Sequence, residues 1–284
     1  MQMKLAIIGA DGMLGSEFVE LCLAKGIEHR PFLFPDIDIT DINSLVVIKE
    51  YAPDVIINCS AYTAVDKAED DFDAAYAVNG DGVRNLAETA KVIGCKLVHF
   101  STDYVFSGIS CEPYLEQEVT APVSVYGKSK LKGELAIKEV LAEKDYLLLR
   151  TAWLYGKGGP NFVKTMIKLA EDRDELSVVD DQVGSPTLAS DLAKWTISLL
   201  ERKEAGTFHA VNSGSCTWFS FAKKIFELKE IDIIVNPVSS NEFKTRAVRP
   251  AYSVMNNLKL KKSLNYPIRE WSEALSEHLF VTNI

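Results

Sequence analysis

The chain lacks most of what would mark it as secreted, metal-bound or membrane-embedded. Its five cysteines, Cys22, Cys59, Cys95, Cys111 and Cys216, are odd in number and widely spread, with no CxxC and no Cys/His cluster. Such spacing implies neither a disulfide framework nor a structural zinc, and a cytoplasmic chain is the simplest reading. The four histidines, His29, His99, His209 and His278, share no metal-ligand spacing. His99 falls inside an expected strand and reads as structural. No apolar run approaches the ~18 residues of a membrane span, and Leu5–Ile8 is too short for a signal segment. Positive charge is scarce: 31 Lys and Arg against 40 Asp and Glu leave a net charge of −9. Coating nucleic acid needs a basic footprint, so no nucleic-acid partner is expected, and no membrane partner either. An anionic small ligand stays open, because it responds to local charge.

What is present is globular composition, 47% hydrophobic and 25% charged, with no repeat and no low-complexity tract. Strand and helix patterns alternate from the start. Lys4–Ile8 reads as a buried strand, and Leu14, Phe18, Leu21 and Lys25 follow helical spacing up to Gly26. Ile27–Leu33 is a second strand interrupted by Pro31, which is awkward in a central strand. Asp41 can cap a helix to Tyr51. Val55–Asn58 is a strand, Ala74–Ile93 a long helix, Lys96–Ser101 a strand, Ser124–Glu143 a helix and Tyr146–Arg150 a strand. This order predicts an α/β fold, a Rossmann-like doubly wound parallel sheet.

After Thr151 the elements become shorter. Helices are expected at 161–171, 190–201, 218–228 and 268–278, and strands at 207–211 and 231–235. Residues 1–151 are therefore expected to bind a nucleotide, and 152–284 to form a smaller, mainly substrate-binding part. The chain can cross that boundary more than once.

Gly9-Ala10-Asp11-Gly12-Met13-Leu14-Gly15 is a GxxGxxG turn between a strand and a helix. Gly9 permits the tight turn, Gly12 lets backbone approach a pyrophosphate, and Gly15 lets helix and strand pack closely. The alternative is a plain strand–turn–helix corner. An NAD site usually carries Asp or Glu at the end of the second strand. That end falls at Phe32–Leu33, where no carboxylate stands. Arg30 is the nearby cation that could meet a 2′-phosphate, so NADPH is expected to serve at least as well as NADH. Asp38 falls at the start of the next connection, near the adenine.

Tyr126-Gly127-Lys128-Ser129-Lys130 contains Tyr-x-x-x-Lys, which places both side chains on one helix face. A cation ~4 Å from a phenol contributes on the order of 4 kcal/mol at an effective dielectric of ~20. That could lower the phenol's pKa by up to about three units. Alone the spacing is weak, since about one match arises by chance. Thr102 strengthens it. The hydroxyl follows an expected buried strand, at the end of a parallel sheet that faces ligand.

These residues and their order are similar to the extended short-chain dehydrogenase/reductases. More narrowly, Thr63-Ala64-Val65-Asp66-Lys67-Ala68-Glu69, Ser101-Thr102-Asp103-Tyr104-Val105-Phe106, Arg150-Thr151-Ala152-Trp153 and Asp181-Gln182-Val183-Gly184-Ser185-Pro186-Thr187 resemble the dTDP-4-dehydrorhamnose reductase family. The likeness weakens after about residue 190 and resumes at Arg249-Pro250 and Ser253. It implies that Gly9, Gly12, Met13, Leu14 and Gly15 hold the pyrophosphate, and that Asp38 and Ile39 flank adenine. Ala61, Tyr62, Thr63 and Tyr104 would border the cofactor. Tyr126 would be the proton donor, Lys130 its partner on the nicotinamide ribose, and Thr102 the third catalytic group. Thr102, Asp103, Trp153 and Arg249 would meet the nucleotide-sugar. The implied reaction is NADPH- or NADH-dependent reduction of the C4 keto group of dTDP-4-dehydro-6-deoxy-L-mannose to dTDP-L-rhamnose. A homodimer and a Mg2+ ion follow from resemblance alone; the sequence holds no carboxylate cluster that demands the ion.

Plainer readings stand beside these. Trp153 could be core, Arg246 and Arg249 solvated, and Glu69-Asp70-Asp71 a solvated face. Two functional rivals remain at this point. One is a sugar-nucleotide epimerase or dehydratase of the same superfamily. The other is a non-catalytic subunit that keeps the cofactor site, like the regulatory subunit of methionine adenosyltransferase.

Overall fold

The chain alternates between strand and helix because its apolar runs are short and punctuated. In the computed structural model, which describes residues 3–282, the first half gives β1 (Lys4–Ile8), α1 (Met13–Lys25), β2 (Glu28–Phe32), α2 (Val46–Tyr51) and β3 (Val55–Asn58). There follow α3 (Val65–Ala68), α4 (Phe72–Tyr76), α5 (Val83–Ile93), β4 (Lys96–Thr102), α6 (Val125–Val140) and β5 (Tyr146–Thr151). Six parallel strands form the sheet in the order Gly206–His209, β5, β4, β3, β1, β2. This is the Rossmann-like arrangement expected from the sequence. The order turns at β1, between β2 and β3, and a crevice opens beyond the carboxyl ends of such strands.

Both faces of the sheet's middle are covered, which is why β1, β3 and β5 are mostly apolar. Leu5, Ile7, Val98 and Leu149 face Leu14 and Phe18 of α1 and Leu192 of the helix Ala189–Glu201. Ala6, Ile8, Ile56 and Leu148 face Ile48, Leu86, Ala90 and Ile137 on the other side. Each large side chain so buried contributes ~1.5–3 kcal/mol. Two elements beyond residue 151, the strand Gly206–His209 and the helix Ala189–Glu201, thus belong to the sheet and its cover. A separate core gathers Val163, Met166, Leu176, Phe221, Ile225 and Leu275.

Several elements differ from expectation for local reasons. Pro31 lies inside β2 without disrupting it, because β2 is the sheet's edge and one missing N–H is tolerated there. The stretch 74–93 is not one α-helix: Ala77–Gly82 is a π-helical turn between α4 and α5. The strand expected at 231–235 lies at Ile234–Val238, since helix Trp218–Lys229 ends on Glu230 at φ 54° and the next residues form the connection. It pairs with Glu175–Val179, a strand not anticipated. The helix Leu258–Leu264 was also not anticipated, and the last helix runs Trp271–Thr282 rather than 268–278. No helix among the described residues is long and apolar enough to cross a membrane.

Candidate active site

The glycine turn is built for close approach. Gly9 has φ +71°, and a β-carbon on Gly15 would lie 2.1 Å from the Gly9 carbonyl oxygen. Gly12 precedes α1 in extended conformation, and no side chain caps the helix. The α1 amino end, with Met13 and the buried Leu14, is therefore left to polar groups from elsewhere. Gly158 rests on it, its β-carbon position 3.0 Å from Met13 Cα. The turn also touches the loop after β3: a β-carbon on Gly9 would be 3.0 Å from the Ser60 nitrogen. These residues fit the pyrophosphate of a dinucleotide.

Asp38 and Ile39 lie beyond the end of β2. The Asp38 carboxylate accepts from the Thr40 N–H (2.9 Å) and hydroxyl (2.7 Å), which fixes a turn. Ile39 is buried against Gly82 of the π turn. Arg30 is exposed and lies over the rings of Phe32 and Tyr51. Leu33 directly follows β2 and is 39% exposed.

Ala61, Tyr62 and Thr63 form the exit from β3, and the π turn holds them. Asn79 accepts from the Tyr62 N–H (2.9 Å) and donates to the Tyr62 carbonyl (3.0 Å) and to Ser129 Oγ (3.0 Å). Ser129 in turn donates to the Tyr126 carbonyl (2.8 Å). Asn79 was not among the residues expected here.

Tyr126 and Thr102 come together at the carboxyl end of β4, and Lys130 lies one turn along α6 against Phe100 of the same strand. Ser124 caps α6 by accepting from the Gly127 N–H (3.1 Å), so the helix starts one residue before Tyr126. The Tyr126 hydroxyl reaches that of Thr102. Thr102 donates to Asp103 (2.8 Å) and accepts from the Tyr104 N–H (3.2 Å). The Tyr104 and Tyr126 rings pack edge to face with centroids 5.5 Å apart. Lys130, 3% exposed, donates to the Phe100 carbonyl at 2.6 Å and faces His99 Nε2 at 3.4 Å. His99, read as structural from sequence, is thus in direct contact with a site residue.

The electrostatics correct one expectation. The phenol of Tyr126 is not drawn down by Lys130. Burial pushes its pKa up, and the Asp103 carboxylate adds to the rise while Thr102 opposes it. Burial likewise raises Asp103 to about 6 against the hydrogen bonds from Ser253 and Thr102. Lys130 is lowered to about 8 by burial, with Glu134 opposing. Tyr126 therefore stands as the neutral acid at physiological pH, which is the form that can donate. One oxygen of Asp103, Oδ2, is buried without a hydrogen-bond partner.

Arg249 donates to the Tyr104 hydroxyl (3.1 Å) and to Asp66 (2.7 Å). Arg246 pairs with Asp70. Neither arginine is a free surface group, and Asp66 was not anticipated. Trp153, at φ +45°, stacks on Trp218 with centroids 3.5 Å apart and lies flat over Gly184. It is partly buried between two apolar clusters. Its stacking ties it to this aromatic wall. No group of three or more His, Cys, Asp or Glu that could hold a metal ion occurs among the described residues.

Known proteins share this arrangement from end to end. The RmlD substrate binding domain family matches residues 3–283. A dTDP-4-dehydrorhamnose reductase of Streptomyces griseus is 43% identical over 278 residues, covering 95% of this chain and 91% of that protein. A dTDP-4-keto-6-deoxy-D-glucose reductase of Streptomyces niveus is 39% identical over 273 residues, covering 95% and 94%. The crystal structure of dTDP-4-dehydrorhamnose reductase from Bacillus anthracis str. Ames in complex with NADP superposes with a TM-score of 0.96 at 43% identity, over 99% of this chain and 100% of that one. A match this long, on a sheet and a Thr–Tyr–Lys site already consistent with it, places the chain in the RmlD substrate binding domain family.

Proposed function

We propose that this chain is an NADPH-dependent reductase that converts the C4 keto group of dTDP-4-dehydro-6-deoxy-L-mannose to the alcohol of dTDP-L-rhamnose. The observation that carries the reading is Tyr126 beside Thr102 at the end of β4, with Lys130 one turn along α6 against the same strand. The relatives named dTDP-4-dehydrorhamnose reductase support it. The bound cofactor supplies a hydride to C4.

The chain's residues do the rest. Gly9, Gly12 and Gly15 admit the pyrophosphate to the amino end of α1, where unpaired N–H groups favour negative charge. Asn79 fixes the Ala61–Thr63 loop along the cofactor. Thr102 holds the C4 oxygen once its hydroxyl turns from Asp103 to donate to it, and Tyr126 gives its phenolic proton to that oxygen as charge develops. Burial keeps that proton in place until it is needed. The unpaired oxygen of Asp103 accepts from a sugar hydroxyl. Lys130 holds the nicotinamide ribose, anchored by the Phe100 carbonyl. Arg249 lies within reach of the anionic nucleotide once it leaves Asp66.

Exposed Leu33 at the end of β2 leaves the 2′-phosphate unopposed, so NADPH serves at least as well as NADH. The chemistry suits a cytoplasmic enzyme. The relative named for a D-glucose substrate marks the second reading, a stereoisomeric 4-keto sugar. NADPH oxidation followed with each dTDP-4-keto sugar tests both. Turnover of the L-mannose isomer above the D-glucose isomer supports the proposal. The reverse order supports the second reading, and no turnover of either rejects catalysis.

A further inference from the structure

A chain of buried hydrogen bonds runs behind Lys130. Asn58, the last residue of β3, accepts through Oδ1 from the Ser60 N–H (3.1 Å) and hydroxyl (2.6 Å). A backbone N–H can only donate, so it fixes which end of the Asn58 amide is the oxygen. The Nδ2 end then faces His99 Nδ1 at 3.1 Å and must donate to it. An imidazole nitrogen that accepts carries no proton, so in the neutral ring the proton is on Nε2. The ring is neutral: burial, with Lys130 beside it, holds His99 well below its ordinary value. Nε2 is the atom that faces Lys130 Nζ at 3.4 Å.

We propose that Asn58 and His99 are positioning residues that lock an Nε2–H imidazole against Lys130, so that this lysine gives up its proton more readily than one offered an acceptor there. The amine form suits this setting, because its lone pair and one of its N–H groups both find partners. It accepts from His99 and donates to the Phe100 carbonyl. The ammonium instead turns a positive charge towards an N–H. Other groups near Lys130 do not cancel this. Glu134, one turn further along α6, favours the ammonium, but two hydrogen bonds from buried Arg150 of β5 and an ion pair with Lys138 occupy it. Tyr126, one turn earlier, is neutral, and the Asp103 carboxylate just past the end of β4 is held by Thr102 and acts on the tyrosine.

The inference deepens the assignment of Lys130 to the cofactor ribose, but it is tested on the free enzyme and can fail without that assignment failing. The first measurement is the 1H–15N spectrum of 15N-histidine-labelled protein, with His99 assigned from its loss in His99→Gln. Nε2 protonated and Nδ1 bare is the expected tautomer; the opposite tautomer overturns the proposal. The second is the Lys130 midpoint, read from 13Cε-lysine signals and assigned with Lys130→Met. Asn58→Ala removes the donor to Nδ1 without adding charge. The ring is then free to offer bare Nε2 to the ammonium, and the midpoint should rise by on the order of one pH unit. An unchanged midpoint overturns the coupling. If Asn58→Ala does not fold, the wild-type tautomer decides alone.

Discussion

Gly127 lies against the backbone of Tyr104: a β-carbon on it would stand 2.3 Å from the Tyr104 carbonyl oxygen. No side chain fits there, so the first turn of α6 is seated on the loop that follows β4. This contact sets Tyr126 beside Thr102. Gly127→Ala should push the first turn away. Overpacking of this kind costs ~1–3 kcal/mol, and kcat should fall more than KM rises, because the tyrosine moves while the dinucleotide turn does not. Normal kcat with normal Tm would show that the contact does not position Tyr126.

Asp103 trades stability for function. Its folded value, about 6, lies above the ordinary 3.8. A raised carboxyl contributes stability in full below about pH 4, and that contribution is lost as pH rises through about 6. At pH 7.5 the buried charge is a net cost. Asp103→Asn should therefore raise Tm by several degrees at pH 7.5, from about 1–3 kcal/mol, and by much less at pH 4.5. Activity should fall, since the amide cannot replace the carboxylate as a pure acceptor. An equal Tm change at both pH values would contradict the sign.

Cofactor choice is written at the edge strand. Leu33→Asp introduces a carboxylate where the ribose 2′ position is expected, and should shift kcat/KM towards NADH mainly by penalising NADPH. Kinetics with both cofactors on wild type and variant provide the check. A wild type that strongly prefers NADH would move the ribose contact to Asp38.

Much of the fold was legible because buried parallel strands and amphipathic helices leave strong patterns. β1, β3, β4 and β5 lie within a residue or two of their expected limits. Glu175–Val179 was missed because five residues among charges carry little periodicity, and its partner Ile234–Val238 is stabilised only by pairing across the chain. Leu258–Leu264 was missed because its lysines mask two buried leucines. The π turn at Ala77–Gly82 preserves an apolar pattern and is invisible to one. In the site, Tyr126, Lys130 and Thr102 carried local motif signals. His99, Asn58 and Asn79 did not, since the partners that tie them to the site lie 17 to 50 positions away; Asp66 stood in a motif, but nothing there named its partner Arg249, 183 positions on. The direction of the Tyr126 shift was also hidden. It depends on burial and on where Lys130 points, and no spacing records either.

The central claim is that Tyr126 gives the proton. Tyr126→Phe keeps the ring and its edge-to-face packing on Tyr104 and removes only the hydroxyl. The measurement is kcat for reduction of dTDP-4-dehydro-6-deoxy-L-mannose, with NADPH affinity determined on the same preparations. General acid catalysis contributes ~10²–10⁴-fold, so kcat should fall within that range with the NADPH Kd little changed. A fall of less than about tenfold with intact cofactor binding would remove Tyr126 from proton transfer and contradict the account.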